Sequence, residues 1–128
     1  MKMELITTKV CMLGNIGVHG NLFGGTMLAW LDEAGAAYAC QVARSTMMVT
    51  RSISRVEFCR PVKAGRIVKI YGETLKMGST SVQINLEARS HNPQTKKQKV
   101  VCSTSMVFVR IDDDGESVPI IDEAKKKN

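Results

Sequence analysis

The sequence predicts an α+β domain in which one long central helix lies against a curved, mainly antiparallel five-stranded sheet. Three observations lead there. Between residues 24 and 43 the only ionisable side chains are Asp32, Glu33, Tyr38 and Cys40, in a stretch otherwise almost entirely apolar or small. A helix that is apolar on nearly every side is one that other elements cover. Beyond Arg44, apolar residues recur at every second position in runs divided by turn residues, which is the period of strands. The order is thus one strand, one helix and four strands. Short connections among the last four imply antiparallel neighbours in a two-layer domain.

Taken in order, residues 3–11 read as the first strand, and Leu13 to Gly20 as a glycine-rich, irregular passage. Asn21 stands at the junction with the helix, either as its N-cap or as a hydrogen-bond donor to a substrate. Gly24 and Gly25 strip side chains from the first helical turn, so free N–H groups and the positive end of the helix dipole can face a developing negative charge. At helical spacing, Phe23, Met27, Trp30, Leu31, Ala34, Tyr38 and Val42 form a bulky face fit for a core. Gly25, Leu28, Ala29, Asp32, Gly35, Ala36 and Ala39 form a second stripe of mostly small residues, open to a partner subunit or a substrate. Met47 to Phe58 is a strand whose apolar parity switches, which predicts a bulge near Ser54 and Arg55. The segment Arg60 to Gly65 ends it, and Ile67 to Met77 is the next strand. After a turn at Gly78, Ser79 and Thr80, Val82, Ile84, Leu86 and Ala88 alternate with polar residues as a half-buried strand. His91 to Lys99 reads as a polar hairpin loop and Val100 to Ile111 as the last strand. The acidic run Asp112 to Asp114 lacks the spaced oxygen ligands of a calcium loop and reads as a solvated turn.

A chain of 128 residues suits one domain, placed at 1–121, with 122–128 as a frayed basic tail. No apolar run is long enough to span a membrane. The first residues, broken by Glu4, Thr7, Thr8 and Lys9, lack the apolar core of a secretory signal, so a cytoplasmic location is expected. Cys11, Cys40, Cys59 and Cys102 are scattered without a CxxC pair and read as small buried hydrophobes. With only His19 and His91 to help, no metal site is expected. The net charge of +6 invites an anionic partner. Nucleic acid is disfavoured, because the positive residues do not cluster persuasively along the chain and few aromatic residues are available for stacking. A small phosphorylated ligand accounts for the charge equally well.

Four segments together carry a more specific signal: HGNLFGG at 19–25, LDEAGA at 31–36, VEFCRPVKAG at 56–65 and KMGSTSVQINLEA at 76–88. In this order they resemble the hotdog-fold acyl-CoA thioesterases, specifically the bacterial and cytosolic acyl-CoA hydrolase branch. The resemblance implies a hotdog fold and hydrolysis of fatty acyl-CoA to free acid and coenzyme A. It implies no cofactor, coenzyme A being part of substrate and product. It also implies a homodimer as the minimal active unit, with the two sheets joined into one, and a homohexamer built as a trimer of dimers. The family's water-activating aspartate falls on Asp32, and its loop asparagine, offered from the opposite protomer, on Asn21. The oxyanion amides fall on Gly24 and Gly25, and the coenzyme A contacts on Arg60 and on Gly78, Ser79, Thr80 and Ser81.

The chemistry is consistent with that transfer, since thioester hydrolysis needs a base, a positioned water and stabilisation of an oxyanion, while a thiolate leaves without a strong acid. Read from its neighbours alone, Asp32 is an ordinary structural or interface acid, and Glu33 a supporting or solvated one. Whether Asp32 acts as general base or nucleophile is open at this level. Two rival functions also fit parts of the sequence. One is an acyl-thioester dehydratase using His19 and Glu33, although the proline-bearing segment around the dehydratase histidine is absent. The other is an acyl-CoA-binding protein without catalysis.

Overall fold

A computed structural model describes residues 3–125. The elements are β1 (Glu4–Val10), a single 3-10 turn (Leu13–Asn15), α1 (Gly24–Ala43), β2 (Met48–Phe58), β3 (Ile67–Met77), β4 (Ser81–His91), β5 (Gln98–Arg110) and α2 (Asp122–Lys125). The strands form one sheet in the order β1-β3-β4-β5-β2, and every neighbouring pair is antiparallel. One expected adjacency fails. β2 and β3 are joined by the short 59–66 segment yet are not neighbours, β2 pairing with β5 and β3 with β1. Eight extended residues reach about 26 Å, whereas three strand spacings need only about 14 Å. A short link therefore need not make a hairpin.

The alternation expected in β4 is realised, with Val82, Ile84, Leu86 and Ala88 all buried on the face toward α1. Phe108 and Met106 of β5, Ile70 of β3 and Leu31 of α1 complete the centre of the core. The helix meets the sheet along Met27, Leu31, Ala34, Gly35, Ala39 and Ala43. This corrects the two faces read from the sequence. Gly35 and Ala39, assigned to an open stripe of small residues, are core, whereas Phe23, assigned to the bulky core face, is 61% exposed. The reason is close approach: a Cβ on Gly35 would lie 2.9 Å from Phe108 Cζ and 3.0 Å from Leu86 Cδ1. Small residues let the helix settle onto these large side chains, and Trp30 and Tyr38 are left at the flanks, partly buried.

β2 forms one edge of the sheet, and most of its residues are exposed, Val49 and Ile53 among them. Its ladder with β5 slips between Thr50 and Ser52 and again between Ser54 and Glu57, where Arg55 takes a positive φ of 51°. The second slip is the bulge the parity switch predicts. At the other end of the chain, Asp122 to Lys125 form a helical turn with Ala124 fully buried, where a frayed tail was expected. Ile120, also buried, donates its N–H to Ser79 O at 2.9 Å, which draws this segment onto the domain. The rest of that tail, 126–128, lies outside the described residues. Among the described residues, no helix is long and apolar enough to cross a membrane.

Candidate active site

The passage before α1 is pinned by backbone hydrogen bonds. Gly17 N–H donates to Asn21 O at 2.8 Å, Leu22 N–H to Val62 O at 2.7 Å, and Phe23 N–H to Asn15 O at 2.9 Å. The N-cap is Phe23 and no side chain caps the helix, so the capping role offered for Asn21 is not the one it plays. Instead the Asn21 side-chain oxygen is buried without a hydrogen-bond partner among the described residues. Such a group is costly unless a ligand or another chain completes it. The N–H groups of Thr26 and Met27 both donate to Phe23 O, which leaves the amides of Gly24 and Gly25 without an acceptor among the described residues. A Cβ on Gly25 would sit 2.8 Å from the Phe23 ring, and one on Gly24 would touch Phe58 at 3.6 Å.

Asn21 and Gly24, but not Gly25, line a largely apolar cavity of about 630 Å³, together with Phe23, Met27, Phe58 and Val62 among others. His19, Cys59 and Arg60 also line it. Cys59 is exposed, which departs from the expectation that all four cysteines are buried; Cys11 and Cys102 are buried as expected, and Cys40 partly so. Burial pushes the Cys102 thiol up to about 11, with the neighbouring Cys59 adding to the shift. Burial also raises the Cys11 thiol.

Asp32 lies eight residues further along α1, about 12 Å from the glycine amides. Its Oδ1 accepts a 2.7 Å hydrogen bond from Thr50 Oγ1 of β2, which orients the carboxylate. Glu33, the next residue, turns to the opposite edge of the sheet, where Lys9 Nζ of β1 approaches its Oε1 at 3.4 Å. One step of about 100° around a helix thus sends the two acids to different edges. This arrangement does not serve the dehydratase reading. His19 lines the cavity at the helix start, while Glu33 is held by a surface ion pair on the β1 side.

The two groups of expected coenzyme A contacts are likewise separated. Gly78 to Ser81 form the β3–β4 turn, closed by Gly78 N–H to Ser81 O at 2.7 Å, beside the end of β5 at Val109. Arg60 stands at the other end of β5, its Nη1 donating to Val100 O at 2.8 Å. Nine strand residues between those points span about 30 Å. The expected site residues therefore fall into two separate groups in the chain. One holds Asn21, the glycine amides and Arg60; the other holds Asp32, Thr50 and the 78–81 turn. Thr50 carries no sequence signal, being one polar residue among several in an edge strand.

The model of the thioesterase superfamily matches residues 19–97. The chain belongs to the thioesterase superfamily. Within it, the acyl-CoA thioester hydrolase YciA of Salmonella typhimurium is 28% identical over 91% of this chain and 90% of its own length. Among solved structures, Cj0915 of Campylobacter jejuni, a hexameric hotdog fold thioesterase, superposes with a TM-score of 0.87 at 30% identity, covering 97% of this chain and 95% of that one. HI0827, a hexameric broad specificity acyl-coenzyme A thioesterase, gives a TM-score of 0.90 at 26% identity, covering 98% and 94%. The one-helix, five-strand arrangement is thus the hotdog fold of this superfamily.

Proposed function

We propose that this member of the thioesterase superfamily hydrolyses fatty acyl-CoA thioesters to the free acid and coenzyme A, at sites composed from two protomers. The observation that carries this reading is the pairing of an oriented carboxylate, Asp32 on Thr50, with an open strand edge at β2. An antiparallel pairing of β2 with its copy, about a two-fold axis near the middle of the strand, would set the Phe58 end of one chain beside the Met48 end of the other. It would bring the half-site with Asn21 and the glycine amides to the half-site with Asp32. The superfamily relatives named above as hexamers support a further assembly of three such dimers.

In this composite site the free oxygen of Asp32 takes a proton from water as that water attacks the thioester carbon. The charge that develops on the carbonyl oxygen is met by the N–H groups of Gly24 and Gly25 and by the positive end of α1. Collapse of the tetrahedral intermediate breaks the C–S bond, and the departing thiolate recovers the proton from Asp32. The buried Asn21 Oδ1 accepts a hydrogen bond from the attacking water, and its side-chain N–H can donate to the substrate. Arg60 and the 78–81 turn contact the coenzyme A portion. The test is a panel of acyl-CoA chain lengths with a thiol reagent: release of coenzyme A is expected, whereas tight binding with no release from any chain length would leave a non-catalytic acyl-CoA-binding protein.

A further inference from the structure

The three most exposed large apolar side chains among the described residues, Val18 at 98%, Leu13 at 84% and Met12 at 63%, all lie in the short passage between β1 and α1. That passage is held at several points. Cys11 N–H donates to Arg66 O at 2.9 Å, Met12 N–H to Asn15 Oδ1 at 2.9 Å and Gly17 N–H to Asn21 O at 2.8 Å. Its apolar tips are thus fixed in water instead of folding under, and an exposed apolar group of this kind marks contact with a partner or a membrane.

Cations that look dispersed along the sequence converge beside this passage. A cleft of about 740 Å³ is lined by Arg60, Lys63, Arg66, Lys97 and Lys99, and by no carboxylate. At one end of the passage Cys11 is bonded to Arg66; at the other, Val18 lines the apolar cavity, which shares Arg60, Pro61, Val62 and Val101 with the cleft. The apolar tips and the cations therefore belong to one end of the domain. Lys63, Arg66, Lys97 and Lys99 are exposed, and among the described residues none of them takes part in an ion pair. Asn92 organises the β4–β5 hairpin that presents two of them, its Oδ1 accepting from Gln94 N–H at 2.9 Å and its own N–H donating to Lys97 O at 3.0 Å.

Apolar tips flanked by charges of one sign fit a surface that offers both hydrocarbon and negative charge. A second copy of the same face fits poorly, since two-fold pairing would set these cations against their own copies. Nucleic acid would meet the cations but leave Leu13 and Val18 in water. We infer that this end of the domain docks on an anionic lipid bilayer. Met12, Leu13 and Val18 enter the boundary between headgroups and acyl chains, while Lys63, Arg66, Lys97 and Lys99 meet the lipid phosphates. Apolar burial and attraction to anionic lipid add together in such contacts. Docking also sets the apolar cavity, which Val18 lines, beside the lipid. The inference goes beyond the hydrolase reading and does not depend on turnover.

The experiment mixes the protein with vesicles of phosphatidylcholine alone, or of phosphatidylcholine and phosphatidylglycerol in equal parts, and sediments them. The parent is expected to sediment with the anionic vesicles only and to be released by high salt. Leu13→Ser/Val18→Ser and Lys97→Ala/Lys99→Ala should each weaken that binding about tenfold or more. Leu75→Ser/Lys76→Ala, which removes an exposed leucine and an exposed lysine from the far end of β3, should bind like the parent. The two vesicle compositions and the salt release test the inference on the parent alone, whatever the variants' stability. No binding by the parent, equal binding to both vesicle types, or binding that survives either of the first two double substitutions overturns it. Vesicle binding unaltered in Leu13→Ser/Val18→Ser, with smaller particles in sedimentation, overturns it in favour of an interface between copies. A DNA oligonucleotide bound as tightly as the anionic vesicles, and equally by Leu13→Ser/Val18→Ser, overturns it in favour of nucleic acid.

Discussion

Asp32 and Glu33 are adjacent and chemically alike, and position alone separates their roles. Asp32 is partly buried and held by the Thr50 hydroxyl, while the Glu33 side chain is 74% exposed beside Lys9. Asp32→Asn keeps the size and the hydrogen bond to Thr50 but cannot take a proton. It should lower kcat by about 100-fold or more with an unchanged circular dichroism spectrum; full activity would move the base elsewhere. Thr50→Val should cost roughly tenfold in kcat and Thr50→Ser much less, because only the hydroxyl orients the carboxylate. Cys102 supplies a separate test of pH dependence. Its folded thiol is raised from 9.0 to about 11, first by burial. The unfolded chain therefore releases this proton before the folded chain does. The associated stability is complete below about pH 9 and is lost as pH climbs toward 11. Urea unfolding at about pH 8 and pH 10.5 should show a larger loss for the parent than for Cys102→Ala.

At the scale of the element, α1 is defined by how closely it approaches the sheet. Gly35→Ala would gain up to about 1 kcal/mol of helix propensity. The added methyl, however, meets the ring of Phe108 at 2.9 Å, in a core that has no room for it. Overpacking costs about 1–3 kcal/mol, so the net effect should be destabilising, read as a lower Tm. A more stable variant would show that the helix can shift outward freely. The β2 strand has the opposite character, exposed, twice slipped against β5 and open along one side. Ile53, 38% exposed, pairs with Met106 and so shares the inner face of the sheet at this edge. Ile53→Lys should therefore weaken subunit pairing while the isolated domain still folds, giving smaller particles in sedimentation and little coenzyme A release. Retained activity in a proven monomer would refute the two-protomer site.

For the whole molecule, what matters is the distance between the two groups of expected site residues. Asn21, the glycine amides and Arg60 gather at the end of the sheet where β5 begins, and Asp32, Thr50 and the 78–81 turn toward the end where it finishes. In the proposed dimer, a two-fold pairing along β2 would bring the two groups together twice, once for each chain. The charge follows the same logic. A net +6 does not say where the cations lie, while the 60–66 segment and the β4–β5 hairpin bring Arg60, Lys63, Arg66, Lys97 and Lys99 to one cleft.

The sequence by itself determined the elements, because hydrophobic period and turn chemistry are local. Gly24 to Ala43 as the helix, Ile67 to Met77 as a strand, the bulge at Ser54 and Arg55 and the alternation of β4 were all readable. So were the candidate residues Asn21, Gly24, Gly25, Asp32, Arg60 and the 78–81 turn, carried by four ordered motifs. Tertiary structure alone decided what each of them touches. Periodicity gave α1 two faces without saying which one meets the sheet, and close approach to Phe108 and Leu86 chose Gly35 and Ala39. Connection length made β2 and β3 look like neighbours, whereas β2 took the far edge beside β5. Thr50 on Asp32, Glu33 on Lys9 and the gathered lysines and arginines all join residues from different elements. Such contacts arise from how the chain crosses its own sheet, which no local pattern records.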